Sequence, residues 1–194
     1  MGRIDRAGEA AALLAGVASC DRCPLASAGR PSLTRAPTAA DLLILGEAPG
    51  QEEAEAGEPF VGRSGQTLDR ALADAGIARE RAFVTNVVLH RPTDAGGQDR
   101  HPRATEIRAC GPWLDTQLTF VHPKVVLALG QVAAARLLGA STRLEDVRGR
   151  AHRCGDRWVV PTYHPAGLNR VAGRPEAFRR DVALAAGLLN RGAS

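Results

Sequence analysis

The sequence predicts an α/β fold of three layers, α/β/α, whose central, mainly parallel sheet has four strands. Short apolar runs alternate with segments of helical periodicity, and this alternation is typical of parallel sheets covered by helices on both faces. The 194 residues, of which 44% are hydrophobic, suit one compact domain that is expected to span residues 1–194. Polar residues, Gly and Pro follow three of the strands, at the edge where such folds bind ligands.

The first helix and the first strand are predicted within residues 10–46. Apolar residues at helical spacing in 10–20 predict an amphipathic helix, and a loop rich in Cys, Pro, Gly and Ser follows over 20–40. The apolar run 42–45 stops at Gly46 and predicts a buried strand.

The second strand lies beyond a loop rich in Gly and Glu. Ser64 is placed to cap a helix over 65–75, which ends before Gly76. The apolar, β-branched run 82–89 predicts the second buried strand, because such residues fit a pleated surface that is enclosed on both faces.

The third and fourth strands complete the sheet. The apolar run 125–129 predicts the third, and a hairpin over 150–160 supplies the fourth as its second arm, 157–160. Helical spacing marks three further segments: 104–119, 131–138 and 175–190.

The charge balance permits a polyanionic partner without requiring one. The formal net charge is +4, which is compatible with nucleic-acid binding. No uncharged apolar run approaches the roughly 18 residues that span a bilayer, so no membrane association is expected. Asp5 and Glu9 flank the start of the apolar stretch 10–20, which fits an amphipathic helix better than a secretory signal. A cytoplasmic monomer is therefore expected.

Three strand ends carry residues that suit ligand binding. The loop 46–50 follows the first strand, Asn86 lies near the end of the second, and His164 follows the fourth. Each feature alone is more often structural, as a tight turn, a buried amide or a packed imidazole. Because parallel strands point the same way, these ends are expected to meet at one rim, and their joint placement favours a functional site.

These motifs resemble the iron–sulfur uracil-DNA glycosylases of family four and the related UdgX proteins. The resemblance covers nearly the whole chain, and its most specific stretch is 46–65, GEAPGQEEAEAGEPFVGRSG. Four shorter motifs follow in the family's order and at its spacing: Thr85–Val88, Leu127–Gly130, Arg148–Gly149 and Tyr163–Ala166. The resemblance implies a DNA repair hydrolase that flips uracil out of DNA, cleaves its N-glycosidic bond and leaves an abasic site.

The residue types also match what uracil excision requires. A flipped uracil needs a π-face, an amide for its O4 and N3 edge, and a donor near O2, and these are supplied by Phe60, Asn86 and His164. By the resemblance, Glu47 orients water and supports the positive charge on the sugar, while His164 stabilises the leaving uracilate. The alternative from another class is a DNA-binding module that is stabilised by a metal and has no catalytic activity. The presence of Glu47, Phe60, Asn86 and His164 together disfavours this alternative.

The resemblance further assigns contacts around the base. Backbone amides around Gly46, Ala48 and Gly50 help to hold uracil. The loop after His164 presses into the DNA, with Leu168 as the wedge and Arg170 on a phosphate.

The cysteines predict a metal site. Cys20 and Cys23 form a C-x-x-C pair, which in a cytosolic protein indicates metal or redox chemistry before a disulfide. Family four holds a 4Fe-4S cluster with four cysteines; Cys110 matches the last, but His90 stands where the family has its third. The resemblance therefore implies a cluster held by three Cys and one His, since imidazole also ligates iron in Rieske centres. The alternatives are Zn²⁺ in the same site and Cys154 as the fourth ligand.

The loop 93–101 is a second departure from family four. Ala95–Gly97 followed by His101 resembles the UdgX insertion, whose histidine attacks the sugar carbon and links the protein to DNA. Residues 99–102 fit the family-four pattern Asn-Arg-x-Pro equally well, which makes His101 a surface or phosphate-contacting residue. Two glycines that loosen the loop, and Asp99 that repels phosphate, disfavour capture. Hydrolysis with a free abasic product is therefore expected.

Overall fold

A five-stranded sheet forms the centre of the protein in the computed structural model, which describes residues 6–34 and 40–191. The strands are β1 (Leu42–Gly46), β2 (Ala82–Asn86), β3 (Val125–Leu129), β4 (His152–Cys154) and β5 (Arg157–Thr162). Their order is β2-β1-β3-β5-β4, and only the β4–β5 pair is antiparallel. The mainly parallel sheet is confirmed. Its fifth strand, β4, is the first arm of the predicted hairpin, which pairs with β5 at the sheet edge.

Seven α-helices flank the strands within the described residues: α1 (Arg6–Ala18), α2 (Gln51–Ala56), α3 (Arg63–Asp74), α4 (Ala104–Val121), α5 (Gln131–Leu138), α6 (Leu144–Val147) and α7 (Arg174–Arg191). The predicted helices correspond to α1, α3, α4, α5 and α7. The sequence does not reveal α2 and α6, because helices of 6 and 4 residues without buried positions carry no apolar stripe. Among the helices described, none is both long enough and apolar enough to cross a membrane.

The side chains of the sheet alternate between two hydrophobic clusters, one on each face. Leu42 and Ile44 of β1 pack with α3 and α7, whereas Leu43 and Leu45 pack with α4 and α5. Every residue of β1, β2 and β3 is buried, as expected for strands covered on both faces. The three-layer architecture is therefore confirmed.

The second strand is shorter than predicted. β2 ends at Asn86 and not at Leu89, because its partner β1 ends in register with it, at Gly46. This places the amide of Asn86 at the rim of the sheet.

Candidate active site

The carboxyl ends of β1, β2 and β5 meet at one rim of the sheet. Gly46 and Asn86 are paired in register, and His164 lies two residues beyond the end of β5. A cavity of about 420 Å³ opens there. Eight predicted site residues line it: Glu47, Ala48, Gly50, Phe60, Asn86, His101, His164 and Arg170. The structure therefore brings together residues that are far apart in the sequence.

Asn86 contributes a buried amide oxygen without a hydrogen-bond partner. The residue is 1% exposed, and its Oδ1 accepts no hydrogen bond within the part of the chain that the structure describes. Gly46 leaves room for it, because a methyl group there would collide with Oδ1 of Asn86 and lie 2.6 Å from the ring of Phe60. A buried carbonyl without a donor is costly, so this oxygen is suited to accept a hydrogen bond from a ligand.

Phe60 and His164 form an aromatic pair at the cavity, with ring centroids 5.8 Å apart and planes inclined by 34°. The backbone N–H of Ala166 donates to Nδ1 of His164 at 3.2 Å, which leaves the ring proton on Nε2. Burial lowers the pKa of His164 to about 4, and the negative charge of Glu53 opposes this shift. At pH 7 the imidazole is therefore neutral and has an Nε2–H to donate.

Glu53 joins two loops beside the cavity. Its Oε2 accepts from the backbone N–H of Gly50 at 3.1 Å, and its Oε1 accepts from that of Gly62 at 2.9 Å. The N-cap of α3 is Gly62 and not Ser64, so Glu53 binds the N–H of the residue that begins the helix, and Ser64 lines the cavity instead. Sequence reasoning missed Glu53, although an acidic residue three positions after Gly50 is a helix-start signal.

The loop 93–101 is a hydrogen-bonded turn. Thr93 and Asp99 form an antiparallel bridge, and Oδ1 of Asp94 accepts from two backbone N–H groups of the turn at 2.8 and 3.0 Å. The guanidinium of Arg91 donates to Asp99 at 2.6 Å. The expectation of a loose loop is thus corrected, because Asp94 stabilises the turn by hydrogen bonds to its backbone. The charge of Asp99 is paired with that of Arg91.

Arg100 anchors the end of this loop, and His101 extends from it over the cavity. Arg100 donates two hydrogen bonds to Glu106, at 2.6 and 2.9 Å, and these hold the pKa of that buried carboxyl below its usual range. Nδ1 of His101 lies 2.6 Å from Oε1 of Glu47. Because a carboxylate only accepts, Nδ1 of His101 is the donor in this contact, and the side chain is 89% exposed.

Leu168, which the sequence predicts as a DNA wedge, is buried in the structure. It shares the 3-10 turn Pro165–Arg170 with Arg170, yet it is 4% exposed and packs into the core cluster with α3 and α7. The burial of Leu168 differs from the expectation of an exposed wedge, and entry into DNA would require this side chain to leave the core. Arg170 lines the cavity, and Val171, directly after the turn, is 51% exposed.

The predicted metal ligands line a second and much smaller pocket, of about 10 Å³: Cys20, Cys23, His90 and Cys110. Within residues 6–34 and 40–191, no group of three or more His, Cys, Asp and Glu side chains is arranged to hold a metal ion. The indole N–H of Trp113 donates to Sγ of Cys20 at 3.2 Å. Cys154 lies in β4, where its Sγ is 3.5 Å from the carbonyl oxygen of Leu137.

The donor set of the small pocket nevertheless suits a soft metal. The pKa of Cys110 is raised to about 11, mainly by burial and also by the neighbouring Cys23 and Cys20, while a hydrogen bond with the backbone of Leu89 opposes this shift. Burial also lowers the pKa of His90, which keeps its imidazole neutral and able to ligate. Three thiols and a neutral imidazole around one pocket are the donors that iron–sulfur clusters and Zn²⁺ take.

Comparison with known proteins gives consistent matches. The family model described as the uracil DNA glycosylase superfamily matches residues 34–185. The chain is 35% identical over 177 residues to a type-4 uracil-DNA glycosylase of Pyrobaculum aerophilum, covering 87% of this chain and 88% of that protein. It is 38% identical to one of Thermotoga maritima, covering 73% and 71% of the two chains, and 36% identical to one of Archaeoglobus fulgidus, covering 66% and 67%.

Proposed function

Because the chain belongs to the uracil-DNA glycosylase superfamily, we propose that it excises uracil from DNA in the cavity at the ends of β1, β2 and β5. The enzyme is a DNA repair glycosylase, a hydrolase of N-glycosidic bonds. The observation that carries the assignment of the site is the buried, unpartnered Oδ1 of Asn86. The N3–H of uracil is the donor that this oxygen lacks, and the amide NH₂ of the same side chain pairs with O4.

Recognition of the extruded base combines this amide with stacking. Phe60 is 6% exposed and lies beside Asn86, so its ring supplies the π-face for uracil. A side chain at Gly46 would meet both residues, so this glycine keeps the space clear, and the backbone around Ala48 and Gly50 closes the base pocket. The cavity volume of about 420 Å³ accommodates a nucleobase with part of its sugar.

Bond cleavage follows from the neutral state of His164. As the bond between N1 and C1′ breaks, its electron pair moves onto uracil, and the Nε2–H of His164 donates to O2, where negative charge grows. A water oxygen then bonds to C1′, and the proton that it loses passes through solvent to the uracil anion, which gives uracil and an abasic sugar. Glu47 orients this water, and its carboxylate supports the positive charge on the sugar.

Covalent capture through His101 is a second candidate, and its contact with Glu47 is the observation that favours it. In that reaction Nε2 of His101 bonds to C1′ after uracil leaves, and the Nδ1 proton passes to Glu47. The ordered loop supports this route more than the sequence indicated. Hydrolysis stays the main proposal, because the contact between Glu47 and His101 is explained equally well if Glu47 only holds the loop in place.

We propose that Cys20, Cys23, His90 and Cys110 hold a 4Fe-4S cluster, with Zn²⁺ in the same residues as the alternative. A bound cluster supplies a covalent tie between the loop after α1, the segment after β2 and α4. The position of Cys154 beside Leu137 favours His90 as the fourth ligand. The single domain over 1–194, the cytoplasmic location and the monomeric state stay predictions.

One experiment separates hydrolysis, covalent capture and the non-catalytic DNA-binding module. A labelled oligonucleotide with one deoxyuridine is incubated with the protein; half is treated with alkali and half is run on a denaturing protein gel. Strand cleavage after alkali, without a shifted protein band, supports hydrolysis, and a shifted band supports capture. Neither signal, with DNA still bound, indicates the non-catalytic module. The same oligonucleotide with thymidine is the control.

A further inference from the structure

The backbone of Phe60 has a conformation that residues other than Gly rarely adopt. Its φ is +57°, in the left-handed region, where the Cβ atom is crowded by the main chain. Such a conformation persists only where the surroundings fix it, and these residues cluster at functional sites. The contacts that hold Phe60 in place therefore matter for the position of its ring.

Arg79 is the side chain that fixes this segment. Its Nη2 donates to the carbonyl oxygens of Pro59 and Phe60, at 3.0 and 3.2 Å, and its Nη1 donates to Oδ1 of Asp69 at 2.6 Å. Arg79 begins the 3-10 turn Arg79–Arg81 that leads into β2, and Asp69 belongs to α3. The guanidinium thus ties the strained loop to two ordered elements.

The same loop is restrained from its other side. Gly65 of α3 packs so closely on Phe60 that a methyl group there would overlap the Phe60 carbonyl oxygen. Glu53 accepts from the N–H of Gly62, two residues after Phe60. With Arg79 in place, the carbonyl of Phe60 is held between a donor and a helix that allows it no room to turn.

We propose that Arg79 is a positioning residue for excision, which holds Phe60 in its left-handed conformation so that the ring is presented to the base. This inference rests on the proposed function, since it requires Phe60 to stack on uracil. Arg79 is not among the residues that line the cavity, so its effect must pass through Phe60. Without it, Phe60 can relax toward an ordinary φ, and the ring leaves the stacking position.

The test is a double-mutant cycle of Arg79→Met and Phe60→Ala, read as the single-turnover excision rate on an oligonucleotide with one deoxyuridine. We expect Arg79→Met to slow excision about tenfold when Phe60 is present and less than about twofold when it is Ala, because contacting residues are energetically coupled. Arg79→Met should also weaken inhibition by free uracil when Phe60 is present, and have little effect on this inhibition when residue 60 is Ala. Arg79→Lys should fall between, since an ammonium group lacks the fork that reaches three oxygens.

Arg81→Met is the matched control, because Arg81 lies in the same turn with an exposed side chain. Equal losses from Arg79→Met in both backgrounds, or none in either, overturn the inference while the proposed function stands. If Phe60→Ala excises like the wild type, the stacking role fails and the inference fails with it. Should Arg79→Met not fold, Asp69→Ala removes the acceptor for Nη1 of Arg79 and takes its place in the cycle.

Discussion

Replacing Gly46 by Ala is expected to abolish most excision while the fold persists. The added methyl group would collide with Oδ1 of Asn86 and lie 2.6 Å from two ring carbons of Phe60. Carbon atoms in contact prefer about 3.5 to 4.0 Å, so one neighbour must move by roughly 1 Å. Asn86 is 1% exposed and Phe60 is 6% exposed, and both line the cavity in which uracil is proposed to bind. The displacement therefore falls on the groups that hold uracil.

The size of the effect follows from this displacement. A misplacement of about 1 Å near the reacting bond costs on the order of 10² in rate, which corresponds to about 2.7 kcal/mol of transition-state stabilisation. The added methyl group also costs about 1–3 kcal/mol of folding free energy by overpacking. This cost is partly offset because Ala in a strand gains about 0.5–1 kcal/mol over Gly from the lower entropy of the unfolded chain, so the fold is expected to persist. Activity and stability should thus separate.

The assay is single-turnover excision from an oligonucleotide with one deoxyuridine, alongside thermal unfolding. Gly187→Ala is the control, since Gly187 lies within α7 and the nearest atom to an added methyl group is Nη2 of Arg191 at 4.0 Å. It should excise normally and unfold at the same or a slightly higher temperature. A Gly46→Ala rate within about threefold of the wild type, at an unchanged melting temperature, would refute the reasoning.

Four further predictions follow from the site. His164→Ala and Asn86→Ala should each slow excision by a factor on the order of 10² or more, with the fold retained; near-normal rates would remove that residue from its role. Because the pKa of His164 is about 4 in the folded protein against 6.5 for the free side chain, the unfolded chain protonates first, and stability should fall by about 1–3 kcal/mol as the pH drops from 6.5 to 4. Urea unfolding of the wild type and His164→Ala measures this, and an equal pH dependence of both would contradict it. The purified protein should be brown, and His90→Ala but not Cys154→Ala should weaken the visible absorbance; a colourless, zinc-loaded protein would reject the cluster. His101→Ala should have a modest effect, with no denaturant-resistant protein–DNA band from the wild type, whereas a band that this variant abolishes would establish capture.

Local patterns in the sequence sufficed for the sheet, and the predicted site residues include eight of those that line the cavity. Apolar runs and helical periodicity are properties of neighbouring residues, so they predicted four strands and five helices without knowledge of their packing. The site followed because parallel strands place their carboxyl ends at one rim, and Asn86 and His164 stand at or just beyond two of those ends. The register of β1 with β2 then explains why the amide of Asn86 faces the gap that Gly46 leaves.

Other features depend on contacts between distant parts of the chain, and only the tertiary structure decided them. A leucine at position 168 suits either contact with DNA or a place in the core. Only its packing with α3 and α7 shows that it lies in the core. Arg79 reaches the carbonyl of Phe60 across 19 residues, and His101 meets Glu47 across 54. Sequence periodicity does not predict such pairs, because a side-chain hydrogen bond between distant residues depends on how the folded backbone positions the two groups. The sequence thus determined the fold class and the rim of the sheet at which the cavity lies, whereas the folded chain determined which residues complete the cavity and hold one another in position.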